Sequence, residues 1–257
     1  MTRELEEKLA RSLAADTTEV LPFVPYMLQD VWELGGNSGD MIKLIRKYMP
    51  ISEEAKILEL GCGKGAVSIN IAKSLNINVY GFDLIPDFIE YAKQKAEELN
   101  VSLLCHFMLC DINEVVDTEK NYDCVILGGA GDALGNPQES LNKLLKTIKP
   151  QGYILIDEAY LRDSSSIDEL EYKNYEYLTR KQWLCLFKDS GLKLLEEVPN
   201  IEEFDYDLKA VAARADELTA KYPEKRAIFE GYVQSLLNDC IDLKNNTLAV
   251  TWMLQRL

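Results

Sequence analysis

The sequence predicts an α/β protein whose parallel sheet is covered by helices on both faces. Three observations carry this. Short apolar runs alternate with helical segments from residue 56 onward, a glycine-rich turn joins the first such pair, and acidic residues end successive runs.

Residues 1–50 read as helical. Asn37 or Ser38 caps a helix whose Met41, Ile42, Leu44, Ile45 and Tyr48 make one apolar face, and Pro50 stops it. Lys56–Leu60 is the first strand, followed by a largely buried helix carrying Val67, Ile69, Ile71, Ala72 and Leu75. Asn78–Phe82 is a second strand, ended by Asp83, and Pro86 suits the first turn of the next helix because its missing N–H does no harm there. Val101–Leu109, Tyr122–Leu127 and Tyr153–Ile156 are expected to be strands three to five. A helix marked by Leu141, Leu144, Leu145 and Ile148, closed by Pro150 and Gly152, precedes the fifth.

Beyond Asp157 the chain turns polar and tyrosine-rich, and Thr179 then caps a helix with Trp183, Leu184 and Phe187. Leu192–Val198 and Thr247–Leu257 are the sixth and last strands. Between them, residues 201–244 are helical and charged, interrupted by Pro223. Val211, Leu218, Ile228, Tyr232, Leu236 and Leu237 there suffice for one packed face, which suits a lid better than an independent domain.

Composition narrows the function classes. With 28 basic against 43 acidic residues the net charge is −15, which repels phosphate backbones and anionic lipid, so neither nucleic acid nor membrane is expected as a partner. The six cysteines lack Cys-x-x-Cys spacing and several lie in apolar runs, where they behave as small hydrophobes, so no metal site is expected. Without an apolar signal-peptide core or an apolar run approaching roughly 18 residues, the expectation is a cytoplasmic monomer or homodimer.

The chemistry is concentrated in Ile57-Leu58-Glu59-Leu60-Gly61-Cys62-Gly63-Lys64-Gly65. Glycines let a strand-to-helix turn bend sharply and bring backbone close to a ligand. With Ala66 the loop also satisfies the dinucleotide pattern G-x-G-x-x-G/A, so alone it leaves a nicotinamide-dependent oxidoreductase open. The acids discriminate. Glu59 would repel a pyrophosphate and attract an ammonium, although it also suits capping of the following helix. Asp83 lies where a carboxylate accepts ribose hydroxyls, and Asp111 where an adenine amino group is received. Three acids ending three strands fit a cationic ligand without phosphate.

These residues resemble the class I S-adenosylmethionine-dependent methyltransferases, over roughly residues 37–200 plus the closing strand. The resemblance implies a Rossmann-like, seven-stranded sheet with an antiparallel last strand. It implies S-adenosylmethionine as cofactor and S-adenosylhomocysteine as product. It also implies that Gly61, Cys62, Gly63 and Gly65 pack on the methionine part and that Asp83 holds the ribose beside Leu84. Asp111 and Ile112 then receive the adenine, and Gly128 lies at the exit of the fourth strand. Ala130-Gly131-Asp132-Ala133-Leu134-Gly135 departs from the N-P-P-Y sequence of amide and base methylation, which favours a small-molecule acceptor. The implied layout is a helical cover at 1–36, a core at 37–200, a lid at 201–244 and a closing strand at 245–257. A non-catalytic module that senses S-adenosylmethionine is the alternative.

No catalytic base is legible. Asp132, Glu158 and Tyr160 are candidates by position, with Asp157 beside them. Tyr172, Tyr175, Tyr177, Phe204 and Tyr206 are candidates to line an acceptor pocket. Trp32 is expected either to cover the cofactor or to dock into the core, and His106, inside an apolar strand, reads as a sheet-face residue rather than a base.

Overall fold

The computed structural model describes residues 2–173, 175–200 and 208–257. Phe204 and Tyr206 lie outside the described residues. Strands β1 (Lys56–Leu60), β2 (Asn78–Asp83), β3 (Cys105–Leu109), β4 (Tyr122–Gly128), β5 (Ile148–Leu161), β6 (Leu192–Pro199) and β7 (Thr247–Arg256) form one sheet. Its order is β3-β2-β1-β4-β5-β7-β6. β7 runs antiparallel to both β5 and β6, while the pairs among β1 to β5 are parallel. The chain leaves β1 toward β2 on one side and returns to place β4 on the other. This is a topological switch point, and a crevice opens at the carboxyl ends of β1 and β4.

Ten α-helices surround the sheet among the described residues: α1 (Arg3–Ser12), α2 (Val24–Met27), α3 (Ser38–Tyr48), α4 (Ala66–Leu75), α5 (Pro86–Glu98), α6 (Ile112–Thr118), α7 (Pro137–Thr147), α8 (Arg180–Asp189), α9 (Leu208–Lys221) and α10 (Arg226–Asn245). Side chains alternate along each strand, so Ile57 and Leu58 enter different cores. Ile57, Val79 and Cys124 face α3, α4 and α5, whereas Leu58, Val125 and Trp252 face α6, α7 and α8. No helix among the described residues is long and apolar enough to cross a membrane.

A third core joins segments far apart in sequence. Val20, Val24 and Met27 pack with Val211, Leu218, Phe229 and Tyr232 of α9 and α10, and with Ile85 and Phe88 at the start of α5. The Phe23 ring meets the Phe229 ring edge-on at 5.0 Å. The N-terminal segment and the pair α9/α10 therefore form one continuous layer beside the switch point.

Several boundaries differ from the sequence reading. The fifth strand runs on to Leu161, so Asp157, Glu158 and Tyr160 lie within it. Three further differences have a local reason. The third strand begins at Cys105, because Asn100 adopts φ 58 past the end of α5 and Val101 N–H donates 2.9 Å to Ala96 O, closing the helix. Residues 112–118 form a helix that apolar spacing did not reveal, capped by Asp111. The fifth strand starts at Ile148. The Pro150–Gly152 turn lies within it, with Gln151 at φ 62 and a register shift opposite Tyr122/Cys124.

Candidate active site

Gly61, Gly63 and Gly65 all take positive φ, at 74°, 51° and 75°, which only glycine adopts at low cost. The loop's amides are directed inward. Gly61 and Cys62 N–H both donate 2.9 Å to Phe82 O, Gly63 N–H donates 2.8 Å to Asp83 Oδ2, and Gly65 N–H donates 2.8 Å to Cys62 O. A phosphate nest needs such amides aimed at the ligand, so this loop is poorly suited to a pyrophosphate. Gly65 departs from the sequence reading. It does not line the cleft above the loop, and a Cβ there would stand 2.7 Å from Phe107 Cζ and 2.8 Å from Ala92 Cβ. Close packing of α4 on the sheet accounts for a glycine here.

The other cofactor candidates line one cleft: Glu59, Gly61, Cys62, Gly63, Asp83, Leu84, Asp111, Ile112 and Gly128. Asp83 is 9% exposed, and its Oδ1 accepts 2.9 Å from Ile85 N–H while Oδ2 takes the Gly63 amide. Burial raises its pKa. Asp111 Oδ1 accepts from Asn113 N–H at 2.8 Å and from Asn113 Nδ2 at 3.0 Å, so this acid caps α6 while facing the cleft. Glu59 is 6% exposed and accepts a hydrogen bond from Ser68 Oγ on α4. Burial pushes its pKa up to about 8. Glu59 thus braces α4 through Ser68 and lines the cleft.

The N-terminal segment closes the cleft from above. Trp32, Leu34, Gly35 and Gly36 line it, and Trp32 Nε1 donates 3.2 Å to Lys64 O. A Cβ on Gly63 would stand 3.2 Å from Leu34 Cδ1, so cover and loop are in near contact.

A second cavity, of about 200 Å³, adjoins the cleft and shares Ser12, Leu13, Leu34, Gly35, Gly36 and Gly129 with it. Its far wall holds Tyr172, Tyr175, Tyr177 and Tyr232 together with Glu158 and Asp239. Glu158 Oε2 accepts 3.1 Å from the Tyr175 hydroxyl and Oε1 accepts 2.9 Å from Ala159 N–H. Burial pushes the Glu158 pKa to about 7 and that of Asp239, which accepts 3.2 Å from the Tyr177 hydroxyl, to about 6. Glu158 and Tyr175 also border a crevice of about 610 Å³ toward α7 and α8.

The remaining base candidates are otherwise engaged. Asp132 lines that crevice, but Arg11 holds it bidentately, with Nε 3.0 Å and an NH2 nitrogen 2.8 Å from Oδ2. The Tyr160 hydroxyl turns to Glu197 at 3.4 Å, and its ring stacks on Trp252 at 6.1 Å, outside these three cavities. Asp157 is locked by Thr251 Oγ1 at 2.5 Å and Asn37 N–H at 3.3 Å.

Comparison with known proteins gives the family. Residues 51–206 match the family model for a methyltransferase domain. The chain belongs to the class I S-adenosylmethionine-dependent methyltransferases. A relative, protein YjhP of Escherichia coli, is 31% identical over 56% of this chain and 59% of its own length. The ubiquinone biosynthesis O-methyltransferase of Rickettsia akari is 32% identical over 44% of each chain. The chain thus spans about half the length of the curated relatives it matches. Among solved structures, a methyltransferase of Thiobacillus denitrificans in complex with S-adenosylhomocysteine shares the fold at TM-score 0.73 and 20% identity. That likeness covers 91% of this chain and 98% of the other.

Sequence reasoning missed one residue of this methyltransferase's cleft. Lys64 is 3% exposed and donates to Leu28 O at 2.7 Å, Gln29 O at 3.0 Å and Val31 O at 2.7 Å. A cation inside the glycine loop was the available signal, but its acceptors are backbone atoms some thirty residues upstream. His106 stacks on Tyr80 at 4.5 Å and pairs with Asn78 Oδ1 at 2.9 Å on the edge strand β3, away from the cleft.

Proposed function

We propose that the chain transfers a methyl group from S-adenosylmethionine to a small-molecule acceptor held in the cavity beside the cleft. The observation that carries this reading is that the two spaces share Ser12, Leu13, Leu34, Gly35, Gly36 and Gly129 as lining, which puts a donor in one beside an acceptor in the other. A Cβ on Gly35 would lie 3.5 Å from Gly129 Cα, so the two glycine backbones pack closely in this shared wall.

The donor set suits this cofactor. Glu59 supplies a carboxyl for the ammonium of the methionine part, above Gly61, Cys62 and Gly63. Asp83 faces the ribose, with Leu84 beside the adenine, and Asp111 with the Ile112 N–H receives its amino group. The amides of Gly61, Cys62, Gly63 and Gly65 are satisfied within the protein and are not aimed at a phosphate. When bound, the cofactor supplies an activated methyl on a sulfonium. The residues of this chain align the acceptor with it and exclude water, which is how proximity and orientation lower such a barrier. The acidic surface supports a small acceptor over a nucleic acid, and a cytoplasmic setting accords with the free cysteines.

Calorimetry with S-adenosylhomocysteine tests the reading directly. Micromolar binding is expected, together with release of S-adenosylhomocysteine when S-adenosylmethionine meets an acceptor. Tight binding with no turnover on any small-molecule set would instead support a sensing module.

A further inference from the structure

We infer that the acceptor is a compact amine, methylated on nitrogen, with the Glu158 carboxylate taking its proton and Asp239 holding its cationic form in the cavity. This rests on the methyl-transfer reading above and specifies its substrate class.

The lining is the first ground. Glu158 and Asp239 stand among four tyrosines, and Arg11 is the one cation among the described lining residues. Its guanidinium is bound bidentately to Asp132 and is therefore neutralised. Asp157, also in the wall, is held by Thr251 and Asn37. An anionic acceptor would enter a partly desolvated space facing carboxyl groups with no cation left to meet it, and such repulsion is strong away from water. A protonated amine meets the opposite case, with carboxylates to pair with and aromatic rings that attract cations.

The second ground is the direction in which charge moves. Before reaction the positive charge is on the sulfonium, in the cleft. The amine nitrogen donates its lone pair to the methyl carbon, the C–N bond forms, and the C–S bond breaks with its electron pair going to sulfur. The positive charge then sits on the new ammonium, in the cavity beside Glu158 and Asp239. The preorganised Asp239 carboxylate at the place where charge develops favours the transition state. Methylation of a carboxylate would cancel charge instead and leave these groups without purpose.

Proton balance follows from the same residues. A protonated amine first passes a proton to the Glu158 carboxylate, giving a neutral nucleophile and a neutral Glu158. The proton returns to water when product leaves. Tyr175 and the Ala159 amide fix the two oxygens of Glu158, at 3.1 Å and 2.9 Å. The burial that raises both carboxyl pKa values into the range 6–7 suits Glu158 to accept a proton near neutrality. A volume of about 200 Å³ limits the acceptor to a small molecule.

The test uses the full chain with S-adenosylmethionine and three sets of probes. These are putrescine, histamine and phenylethylamine; glutarate and phenylacetate; and catechol and p-cresol. Release of S-adenosylhomocysteine is read by mass spectrometry, and its binding is read separately by calorimetry. Turnover is expected with at least one amine, with the methyl found on nitrogen. Glu158→Gln, which keeps the shape and one accepting oxygen but puts an amide nitrogen in place of the other, should lower kcat by about 10²–10⁴, the range of general-base contributions. Its affinity for S-adenosylhomocysteine should change by less than about threefold, under 1 kcal/mol. Asp239→Asn should raise KM for the amine more than it lowers kcat. The inference is overturned if cofactor binds and only the acids or phenols are methylated, if no amine reacts, or if Glu158→Gln turns an amine over at the parent rate. Failure to bind S-adenosylhomocysteine at all would instead remove the methyl-transfer reading on which it rests.

Discussion

Lys64 Nζ stands 2.7 Å from the carbonyl oxygen of Leu28, and through that bond the glycine loop fastens the N-terminal cover. The same ammonium reaches Gln29 O and Val31 O, so three carbonyls just past α2 share one buried cation. Burial draws its pKa down to about 8, which leaves it protonated at pH 7. Lys64→Met keeps the stem but strands those carbonyls, a loss of about 1–3 kcal/mol. At roughly 2–4 °C per kcal/mol for a chain of this size, the melting temperature should fall by several degrees. Because Trp32 and Leu34 follow directly in the cover, affinity for S-adenosylhomocysteine should fall with it. An unchanged melting curve and unchanged affinity would show that the clamp is idle.

Glu59 predicts a pH dependence of cofactor binding. Its proton is retained to about pH 8 in the free protein because burial disfavours the charge, with Asp83 adding repulsion and Ser68 opposing it. A ligand ammonium favours the ionised carboxyl, so binding expels a proton below that pH. Affinity for S-adenosylhomocysteine should therefore rise between pH 6 and 8, by up to about tenfold per unit. Calorimetry in buffers of different ionisation heat reads the released proton, and Glu59→Gln should abolish it. A flat profile in the parent protein would remove Glu59 from the ammonium site.

The same raised values set the sign for stability. Glu59, Glu158 and Asp239 bind protons more tightly folded than unfolded, at about 8, 7 and 6. Native protein then holds more protons than the unfolded chain between the unfolded values near 4 and the folded ones. Stability is fully present below that window and declines as pH rises through it. The ligand-free protein should melt at lower temperature at pH 8 than at pH 5, and S-adenosylhomocysteine should recover part of the difference. A melting temperature that climbs over this range would contradict the assignment.

Gly35 allows a direct test of the passage between cleft and cavity. Its φ is not positive, and an added Cβ would meet Gly129 Cα at 3.5 Å, an ordinary contact. Gly35→Ala should therefore fold and bind S-adenosylhomocysteine normally, while narrowing the route from sulfur to acceptor. A displacement of about 1 Å at the reacting centre costs on the order of 10² in rate. Wild-type turnover in this variant would mean that the acceptor approaches from the crevice near α7 instead.

How far the sequence reveals this site depends on whether the information is local. The strand, the glycine turn and the acids at 59, 83 and 111 form a local pattern, and the structure gathers those acids into one cleft. Gly65 belongs to the same pattern, yet its reason is Phe107 on a distant strand, which spacing does not expose. Glu158 and Tyr160 look equivalent on paper, two residues apart on β5. Only the fold sends one toward Tyr175 and the other toward Glu197. The helix at 112–118 is two turns long, and its three buried apolar residues, Ile112, Val115 and Val116, are too few for periodicity to register. Lys64 is the extreme case, since carbonyl acceptors carry no residue type.

The pair α9/α10 raises the question of whether the lid separates from the cofactor site. Its sequence suggests an appendage whose removal spares cofactor binding and eliminates methyl transfer. The packing argues otherwise, because Phe229, Tyr232 and Val211 share one core with Val20, Val24 and Met27. Those N-terminal residues position Trp32 and Leu34 over the cleft, and the core extends to Ile85 and Phe88, which also line it. Replacing residues 208–240 by a Gly/Ser linker would expose this whole layer. Loss of both turnover and S-adenosylhomocysteine affinity is therefore expected, with a reduced melting temperature. A milder variant separates stability from architecture: Phe229→Ala removes a fully buried ring facing Phe23 and should cost about 3–5 kcal/mol. At saturating S-adenosylhomocysteine part of that loss should be recovered, since ligand binding to the closed cover stabilises it by mass action. If the linker variant binds S-adenosylhomocysteine as tightly as the parent, the shared core has no part in holding the cofactor.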